Sequence, residues 1–385
     1  MKPRKLLTIG HSYCVALNRR LAHELAIAGG DKWEVTVAGP AYFQGDLRPI
    51  VMTPEPTEPC RVVPLKGRAT GRMHVMTYNG QLRSLMQEGW DVVHAWEEPF
   101  IFAGGQIAWQ RPRSSRLVFA TFQNLAKRYP PPFSWIERYS LNQASGWIAF
   151  GRLVEQTLQH RRGYRDRPCR MIPPGVDVAE FRPDAERRRA TLFRLGWSES
   201  GPPVIGYLGR LVPEKGLPML MDVLDALPTP WRALFVGTGP LEAKLRGWMT
   251  KHGDRARLLT DVTHDGVPAV LNACDLLVAP SQTTPIWKEQ LGRMLLEAFA
   301  SGVAVVASDS GEIPYVVGDA GRIVPEADRD AWQRAIGELL ESPALRAELA
   351  WRGRERAEQV FAWPVVARQH LAFFDELLSS PDHRA

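Results

Sequence analysis

Short apolar runs alternate along the whole chain with longer stretches in which apolar residues recur every three to four positions. The first pattern is typical of buried strands and the second of amphipathic helices, so their alternation predicts βαβ units around a parallel sheet. In the first half the pattern predicts strands at 6–9, 33–38, 91–95, 116–121 and 147–149, and helices at 17–28 and 78–88.

The alternation begins again in the second half, after the turn-rich segment 173–183 and a polar, arginine-rich helix at 184–195. The run at 303–307 is apolar at every position, as in a strand that is buried on both faces. The strands predicted here are 203–208, 231–236, 256–259, 276–279 and 303–307, and the helices are 217–227, 241–251, 267–273, 292–300, two within 329–360, and 363–378.

A chain of 385 residues exceeds the size at which a single hydrophobic core keeps growing, so two domains are expected. We place an N-terminal Rossmann-like domain at residues 1–183 and a second one at 184–361. The remaining segment, 362–385, is expected to be a helix that crosses back to the first domain. The fold class is therefore α/β.

Composition narrows the class of protein further. With 45% hydrophobic and 23% charged residues the chain reads as globular throughout. Its four cysteines lie far apart, which excludes a zinc-type CxxC pair and a dense disulfide framework and favours reduced thiols. Since no stretch approaches the roughly 18 uninterrupted apolar residues of a membrane span, we expect a cytoplasmic protein without a transmembrane segment.

Charge is distributed unevenly. Residues 1–190 hold 28 Lys and Arg against 17 Asp and Glu, although the net charge of the whole chain is only +6. A basic half can attract anionic lipid head groups or phosphorylated substrates, or it can simply be a solvated arginine-rich face. No RNA-binding or helix-turn-helix signature accompanies it, so we expect no nucleic-acid partner. Peripheral contact with the inner face of a membrane stays open, with Phe133, Trp135 and the prolines 130–132 as an apolar loop.

Residues 280–312 carry the most distinctive group of polar positions. Glu289 and Glu297 are eight apart, and Gly292 stands at the predicted start of a helix. That spacing exceeds two helical turns, so the two carboxylates would face different parts of an extended ligand. The helix N-terminus would offer unpaired backbone N–H groups to an anion. The alternative is that both acids are solvated surface residues.

A second group, GRLVPEKGLPML at 209–220, directly follows a predicted strand. Open α/β sheets bind ligands where a strand ends in a glycine loop and a new helix begins. Arg210 and Lys215 are the cations of this loop and could clamp a diphosphate, while Gly209 would allow close approach of the backbone. An ordinary exposed loop is the alternative. The segment VGTGPL at 236–241, with Gly237, repeats the strand–glycine–helix pattern.

Taken together, these motifs resemble the retaining GT-B glycosyltransferases of family 4. The order is GR…EKG, VGTGP, PS…E-x7-E-A…SG…V and GEIPYVVGDAGRIV, which covers nearly all of the second half. In the first half, DVVHAWEEP at 91–99 and PPGVDVAEFRP at 173–183 are similar to the family's mid-domain loop and hinge. The resemblance implies the GT-B fold, in which two Rossmann-like domains face each other across a cleft.

The same resemblance implies roles for individual residues. Arg210 and Lys215 would neutralise the diphosphate leaving group in place of a metal, so neither metal nor cofactor is expected. Glu297 would bind the ribose hydroxyls, and Glu289 the donor sugar. The implied donor-binding set is Gly209, Arg210, Lys215, Gly237, Thr260, Val262, Glu289, Gln290, Leu291, Gly292 and Glu297, with Arg210, Lys215 and Glu289 also catalytic.

Two departures from the family pattern concern the acceptor half. The usual double glycine after the first strand is replaced here by the segment from Gly10 to Cys14, which contains His11. A histidine that many members carry after the strand at 116–121 is replaced by Phe122, Gln123 and Asn124. We therefore assign His11 and Gln123 to the acceptor side and add His94 to the catalytic residues.

The expected function is metal-independent transfer of a hexose, with retention, from a nucleotide diphosphate sugar to a hydroxyl. A UDP-sugar is the first choice of donor and GDP-mannose the second; a polysaccharide, a lipid-linked sugar or a small metabolite would serve as acceptor. Front-face attack, in which the leaving phosphate helps to take the acceptor proton, is the implied mechanism. A noncatalytic nucleotide-sugar-binding scaffold or sensor is the alternative. A nicotinamide-dependent oxidoreductase is disfavoured because no strand precedes a full GxGxxG.

Overall fold

The computed structural model describes residues 2–45 and 49–380. The chain folds as two units. The first comprises the chain up to Pro174 together with the segment from Trp363 onward, and the second comprises Gly175–Ala362. The C-terminal segment therefore groups with the first unit, although the second unit lies between them in the sequence.

The boundary between the units follows Pro174, ahead of residue 183, at which the sequence ended the first domain. Residues 175–183 attach to the second unit through backbone groups. The N–H of Val176 donates to the carbonyl of Phe361 over 2.8 Å, and the guanidinium of Arg354 donates to the carbonyls of Val178 and Phe181 over 3.1 and 2.8 Å. These hydrogen bonds, which hydropathy cannot reveal, fix this segment to the second unit.

The first unit is built on a seven-stranded parallel sheet of order β11-β10-β9-β8-β1-β2-β5, with two small antiparallel pairs, β3-β4 and β6-β7. The strands are β1 Arg4–Ile9, β2 Trp33–Pro40, β3 Tyr42–Gln44, β4 Pro49–Val51, β5 Arg61–Leu65, β6 Gly67–Arg68, β7 Thr77–Tyr78, β8 Val92–Ala95, β9 Arg116–Thr121, β10 Gly146–Ala149 and β11 Cys169–Met171. The sheet's outermost strands, β5 and β11, are half-exposed and were not predicted.

Helices cover both faces of this sheet. They are α1 Arg20–Gly29, α2 Gln81–Met86, α3 Phe102–Gln110, α4 Phe133–Gln143, α5 Arg152–Gln159 and α6 Arg162–Arg165, to which the C-terminal helix Trp363–Ser379 is added. The predicted helix at 17–28 starts as a short 3-10 turn, Ala16–Arg19. The segment read as an apolar loop around Trp135 is instead the first turn of α4.

The second unit contains a six-stranded parallel sheet of order β14-β13-β12-β15-β16-β17. Its strands are β12 Val204–Leu208, β13 Arg232–Val236, β14 Ala256–Leu259, β15 Leu276–Ala279, β16 Ala304–Ser308 and β17 Arg322–Val324. Counted along the chain, the order is 3-2-1-4-5-6, which is the order of a dinucleotide-binding Rossmann sheet. With the parallel sheet of the first unit, it establishes the GT-B fold class.

Alternate residues of each strand in the second unit point to opposite faces, and helices bury both faces. In β13, Leu234 and Val236 join one apolar cluster while Ala233 and Phe235 join the other. The helices are α7 Ala185–Arg194, α8 Leu217–Ala226, α9 Glu242–Met249, α10 Val267–Ala273, α11 Arg293–Ala300, α12 Ile313–Val317, α13 Arg329–Glu341 and α14 Pro343–Arg356, and the C-terminal helix Trp363–Ser379 is α15.

Composition led us to expect reduced thiols and no transmembrane segment, and the cysteines and the helices can be compared with these two expectations. Cys14 and Cys274 are buried, Cys60 and Cys169 are half-buried, and all four are free thiols. Across residues 2–45 and 49–380, every helix is too short or too polar to cross a bilayer.

Helix α15 closes one face of the first sheet and buries two histidines there. His370 on α15 and His94 on β8 are fully buried with ring centroids 5.5 Å apart, and the ring of Phe374 lies 5.4 Å from His94. The Nε2 atoms of both histidines have no hydrogen-bond partner among the described residues. Burial lowers the pKa of His370 to about 4. Burial also lowers the pKa of His94 well below its usual value, and the neighbouring His370 lowers it further.

We predict that acidification destabilises the first unit through His370. The unfolded chain takes up a proton on this residue near pH 6.5, whereas the folded protein does so only near pH 4. The stability contribution is therefore present above pH 6.5 and is lost as the pH falls toward 4, which amounts to about 2 kcal/mol between pH 7 and pH 5. In His370→Leu, urea unfolding should show a pH dependence smaller by that amount. The same substitution at exposed His160 serves as control, and an unchanged pH dependence in His370→Leu would contradict the prediction.

Candidate functional site

Each sheet reverses its strand order at one place, and the loops that meet there carry most of the candidate residues. In the first unit the reversal lies between β1 and β8, and in the second between β12 and β15. Parallel α/β sheets bind ligands beyond the carboxyl ends of the strands at such a switch point. The loops after β12 and β15 hold Lys215 and Glu289, and the loops after β1 and β8 hold His11 and Glu97.

In the second unit, a glycine allows the loop after β12 to lie against the end of β15. Gly216 has φ +72°, and a Cβ atom built on it would lie 1.8 Å from the carbonyl oxygen of Pro280. Any other residue would separate these two loops. A hydrogen bond of 2.8 Å from the N–H of Gln282 to the carbonyl of Glu214 joins them as well. The close approach places Lys215 next to the segment that contains Glu289.

Lys215 and Glu289 form an ion pair at this point. The Nζ atom of Lys215 lies 2.5 Å from Oε2 of Glu289, and the hydroxyl of Ser281 donates to the same oxygen over 2.8 Å. The indole of Trp287 lies 5.1 Å from Nζ, within the range of a cation–π contact. The Lys215 and Glu289 side chains are only 14% and 8% exposed. Because little water reaches this cation, an anion that binds here would interact with it strongly.

The segment from Glu289 to Gly292 leads directly into α11. Gly311 has φ +59°, and its Cβ would lie 2.0 Å from the carbonyl oxygen of Glu289, so the two loops can touch only with glycine at 311. Gln290 is exposed and Leu291 buried, and Gly292 precedes the first turn of α11 with φ +75°. Helix α11 therefore begins at Arg293, four residues after Glu289, and its first N–H groups have no partner within the helix.

Glu297 lies in the second turn of α11 and is 6% exposed. Burial raises the pKa of its carboxyl to about 7, against the opposing charge of Arg293. A buried carboxyl of this kind gains from a hydrogen-bonding ligand such as a sugar hydroxyl, which satisfies it without adding charge. That this carboxyl and the one of Glu289 face different parts of a ligand stays a prediction from their spacing.

The remaining donor-side candidates surround the ends of neighbouring strands. Arg210 is 63% exposed at its side chain and lies 3.6 Å from Glu214, so it is not part of the buried ion pair. Gly237 has φ +140°, and a Cβ there would lie 2.0 Å from the carbonyl oxygen of Gly209. Thr260 and Val262 follow β14 and are half-buried. Strand ends β12, β13 and β14 thus form one continuous edge beside Lys215.

The switch point of the first unit holds a second pair, formed by a histidine and a carboxylate. Nδ1 of His11 lies 2.6 Å from Oε2 of Glu97, and the backbone N–H of His11 donates to Oε1 over 2.6 Å. Glu97 is 2% exposed, and the hydroxyl of Tyr78 lies 3.5 Å from it. The sequence assigned His11 to the acceptor side, and the structure places it at the carboxyl edge of the sheet.

His94 does not lie at a surface that a substrate could reach, which corrects its assignment as a catalytic residue. It is on β8, fully buried, with Nδ1 3.1 Å from the hydroxyl of Thr8 and its ring packed against Trp96 and α15. Strand residues alternate between the faces of a sheet, and His94 faces the helix layer. Its place is in the core.

Gln123 follows β9 as expected, but its amide is occupied within the protein. Its Nε2 donates to Glu98 over 2.8 Å and to the hydroxyl of Tyr164 over 3.1 Å. Its Oε1 accepts from Tyr129 over 3.2 Å and from Arg161 over 3.4 Å. Two donors and two acceptor sites are the full capacity of an amide, so Gln123 holds its neighbours in place and has no hydrogen bond left for an acceptor.

Several residues of these sites were not identified from the sequence, namely Glu97, Glu98, Ser281 and Trp287. Glu97 and Glu98 lie one residue beyond a predicted strand, and two acids near the end of a buried strand are a signal that could have identified them. Ser281 and Trp287 carry no such signal. Ser281 contacts Glu289 and Trp287 contacts Lys215 because of the path of the loop between β15 and α11, and only the folded structure shows that path.

The models of two protein families match this chain. The model described as "Glycosyl transferases group 1" matches residues 192–356, and the model described as "Glycosyltransferase Family 4" matches residues 17–180. Together they cover most of both units. The chain belongs to family 4 of the glycosyltransferases, whose GT-B fold agrees with the two parallel sheets.

Curated relatives are similar over parts of the chain. A GDP-mannose-dependent monoacylated alpha-(1-6)-phosphatidylinositol monomannoside mannosyltransferase of Corynebacterium glutamicum is 34% identical over 51% of this chain and 54% of its own length. A 2-deoxystreptamine glucosyltransferase of Streptomyces kanamyceticus is 29% identical over 69% of both chains. The chain spans about half the length of the mannosyltransferase that it matches.

Solved structures agree with the fold. A sucrose-phosphate synthase from Thermosynechococcus elongatus has a TM-score of 0.73 and 21% identity, with 98% of this chain and 100% of that chain covered. Anabaena HepE in complex with UDP has a TM-score of 0.73 and 20% identity, with 97% and 100% covered. At these identities the likeness concerns the fold alone.

We predict that Gln123→Ala lowers the stability of the first unit. The substitution leaves the half-buried Glu98 with one hydrogen bond fewer and removes a partner of Arg161 and two tyrosines, so the loss should be about 1–3 kcal/mol. Urea unfolding would measure it. Asn142→Ala, which removes an exposed amide from α4, should stay within about 0.5 kcal/mol of wild type. Equal effects of the two substitutions would contradict the role given to Gln123.

Proposed function

We propose that this protein transfers a hexose from a nucleotide diphosphate sugar to a hydroxyl group with retention of anomeric configuration and without a metal. The Lys215–Glu289 pair at the switch point of the second sheet carries the proposal. It sets a poorly solvated cation beside a helix N-terminus and glycine-lined strand ends, as a bound diphosphate requires. Membership of family 4 supports the same reaction class.

The chemistry of the step follows from charge. When the glycosidic bond of the donor breaks, the departing diphosphate gains negative charge and the anomeric carbon gains positive charge. Lys215 stabilises the former, with Arg210 on the exposed side of the loop, and Glu289 holds hydroxyls of the sugar while its carboxylate balances Lys215. Preorganised charges of this kind stabilise a transition state more than the ground state. In this proposal the two cations do the work of a metal.

Glu297 and the edge formed by β12, β13 and β14 complete the donor site in this proposal. The buried carboxyl of Glu297 binds the ribose hydroxyls, and Thr260 and Val262 lie against the base. We favour GDP-mannose over a UDP-sugar, because two relatives at 34% and 35% identity are named as GDP-mannose-dependent. The sequence alone favoured the reverse order.

The direct experiment is a thermal-shift screen of the purified protein against GDP, UDP, ADP and their sugar conjugates, with and without EDTA. A ligand that binds only the folded state raises the melting temperature. We expect GDP and GDP-mannose to do so equally with and without EDTA. NMR of the product then gives the anomeric configuration, and inversion would overturn retention. Binding without turnover on any acceptor would favour the noncatalytic scaffold.

A second proposal concerns the acceptor, which we place at an anionic membrane surface. Helices α3 and α4 lie side by side, with Phe102 6.1 Å from Phe133 and a Cβ on Gly105 only 2.7 Å from the side chain of Ile136. Their outer surface exposes Trp109 by 70% and Trp135 by 66%. Tryptophan side chains have a large apolar body and a polar N–H, and they favour the interface of a bilayer over a fully solvated face.

The positive charge around α3 and α4 also favours contact between their outer surface and an anionic membrane. Residues 99–143 contain six Lys and Arg and a single acid, Glu137. That acid is turned toward Arg161 at 2.7 Å and is half-buried, so it does little to offset the exposed cations Lys127, Arg128 and Arg138. Each cation near an anionic surface contributes about 1 kcal/mol of attraction at low salt.

We predict that Lys215→Ala and Glu297→Ala each lower turnover of the donor at least tenfold, which corresponds to about 1.4 kcal/mol of transition-state stabilisation. Both variants should remain folded by circular dichroism. Lys244→Ala, which removes an exposed cation from α9, should retain normal turnover. Activity like wild type in both site variants, measured in the presence of EDTA, would refute the donor site.

We also predict that vesicles containing phosphatidylglycerol bind the protein, that vesicles of phosphatidylcholine alone do not, and that salt weakens binding. The double substitution of Trp109 and Trp135 by Ala should reduce sedimentation with the anionic vesicles about tenfold or more, because it removes two large side chains that leave water on binding. Trp351→Ala, equally exposed at 64% on α14, is the matched control. An equal loss of vesicle binding in the double variant and in Trp351→Ala would contradict the proposal that α3 and α4 form the membrane-binding surface.

A further inference from the structure

Three side chains of the first unit, His23, Glu58 and Cys60, form a cluster of potential metal ligands. Their ligand atoms, an imidazole nitrogen, a carboxylate oxygen and a thiol sulfur, all lie within 4.8 Å of one another. Of the His, Cys, Asp and Glu side chains in residues 2–45 and 49–380, these are the one set of three or more that meets at such distances. His23 lies on α1, and Cys60 directly precedes β5. The fold therefore brings His23 next to a segment that begins 35 residues further along the chain.

Hydrogen bonds hold the carboxylate of Glu58 in one orientation. Its Oε2 atom accepts from Nε of Arg19 over 3.0 Å and from Nε2 of His23 over 2.8 Å. Its Oε1 atom accepts from Nη2 of Arg19 over 2.8 Å and from the N–H of Glu55 over 3.1 Å. Burial disfavours the charged form, but the hydrogen bonds from Arg19 and His23 outweigh it and hold the pKa of Glu58 below its usual value. Carboxylates that bind metals are oriented by their neighbours in this way.

Arg19 orients the cluster and also determines which cations suit it. Its side chain is 1% exposed, and its Nη1 atom donates to the carbonyl of Tyr13 over 3.1 Å, so the guanidinium is fixed beside Glu58. The positive charge of Arg19 offsets that of the carboxylate, which leaves the thiolate of Cys60 to supply negative charge to a metal. Mg²⁺ and Ca²⁺ require several oxygen ligands, whereas Zn²⁺ binds sulfur and nitrogen. The cluster therefore favours zinc.

We propose that His23, Glu58 and Cys60 bind a zinc ion. Zn²⁺ holds its ligands in a tetrahedron with bonds of about 2.0–2.3 Å, so that neighbouring ligand atoms are about 3.3–3.7 Å apart. Small movements of the three side chains meet this spacing. The side chain of His23 is 21% exposed and gives the ion a path from solvent, and water takes the fourth position.

Binding of the ion displaces protons from two of the ligands. Burial and the charge of Glu58 raise the pKa of the Cys60 thiol to about 12, so this thiol is neutral without the metal. The ion takes the place of the proton on Sγ, and that proton passes to solvent. Nε2 of His23 gives up the proton that it donates to Glu58, the neutral ring carries its proton on Nδ1 instead, and the lone pair of Nε2 binds the metal.

A zinc ion at this position fastens the start of an edge strand to the helix layer. Strand β5 is the outermost strand on its side of the sheet and pairs with β2 alone. The segment before it, 52–60, contains no helix or strand, and Arg19 holds it by donating from Nη2 to the carbonyl of Thr53 over 3.0 Å. The metal adds a second attachment between this segment and α1. We therefore expect zinc to stabilise the first unit.

The test is titration of the whole protein, kept reduced with a phosphine, with Co²⁺ in place of Zn²⁺. A bond from cobalt to a thiolate adds a charge-transfer band in the near ultraviolet, and tetrahedral coordination adds bands in visible light. We expect both in wild type, and we expect Zn²⁺, which binds such sites more tightly than Co²⁺, to abolish them. Absence of the charge-transfer band in excess Co²⁺ would overturn the site and leave Arg19, His23 and Glu58 as an ion-pair network only.

Variants identify the ligands. Cys60→Ser, which nearly keeps the size of the side chain, should lose the charge-transfer band, whereas Cys169→Ser, at another half-buried thiol of the first unit, should keep it. His23→Gln should weaken zinc binding about tenfold or more, and His160→Gln, at an exposed histidine, should not change it. A band that persists in Cys60→Ser would contradict the assignment.

Thermal unfolding gives a second measurement, which needs no variant to be folded in order to detect binding. Zn²⁺ should raise the melting temperature of wild type, and Mg²⁺ should not. The cluster is separate from Lys215 and Glu289, which belong to the second unit. EDTA should therefore abolish the rise caused by zinc and leave the rise caused by GDP-mannose unchanged. A melting temperature that Zn²⁺ does not raise, or raises equally in Cys60→Ser, would refute the zinc site and leave the donor site untouched.

Discussion

The reversal of strand order in a parallel sheet decides which loops of this protein become neighbours. Helical crossovers send successive strands outward from the first strand in one direction and then in the other, so the loops after the first and fourth strands meet with no helix between them. Both sheets follow this rule, and in both a basic side chain meets an acidic one. Lys215 and Glu289 are 74 residues apart in sequence, and His11 and Glu97 are 86 apart.

These pairs contribute little to net stability, and in the proposed function the Lys215–Glu289 pair serves preorganisation. A buried ion pair roughly balances the cost of desolvation against the attraction of its charges. What it provides is a charged group held in one place before a ligand arrives, and this is the source of electrostatic catalysis. The glycines at 216 and 311 serve the same purpose, since a Cβ at either one would overlap a carbonyl oxygen of the facing loop. Close packing of the backbone thus fixes the position of the charges.

Polar residues of the first unit divide into two groups that are similar in type and different in role. Gln123 uses every donor and acceptor of its amide within the protein, and His94 is enclosed between the sheet and α15. His11, by contrast, has one nitrogen held by Glu97 and the other directed away from it. Residue type does not separate these groups, because the same imidazole can be enclosed in the core or half-exposed at the end of a strand. The number of hydrogen bonds already made, and the exposure that is left, do separate them.

The sequence by itself determined the α/β class, nearly all central strands and the glycine-rich motifs around Lys215 and Glu289. Central strands are apolar throughout and turn signals bound them, so the predicted strands at 116–121, 256–259 and 276–279 have the same limits in the structure. It did not reveal the half-exposed edge strands β5 and β11, whose burial pattern is weak, or the boundary at Pro174, which depends on distant hydrogen bonds. Only the tertiary structure placed Glu97 against His11 and His94 in the core. The pattern of apolar and polar residues along the chain reflects burial within a single helix or strand. Which loops become neighbours depends instead on the order of the strands in the sheet, and that order is a property of the tertiary structure.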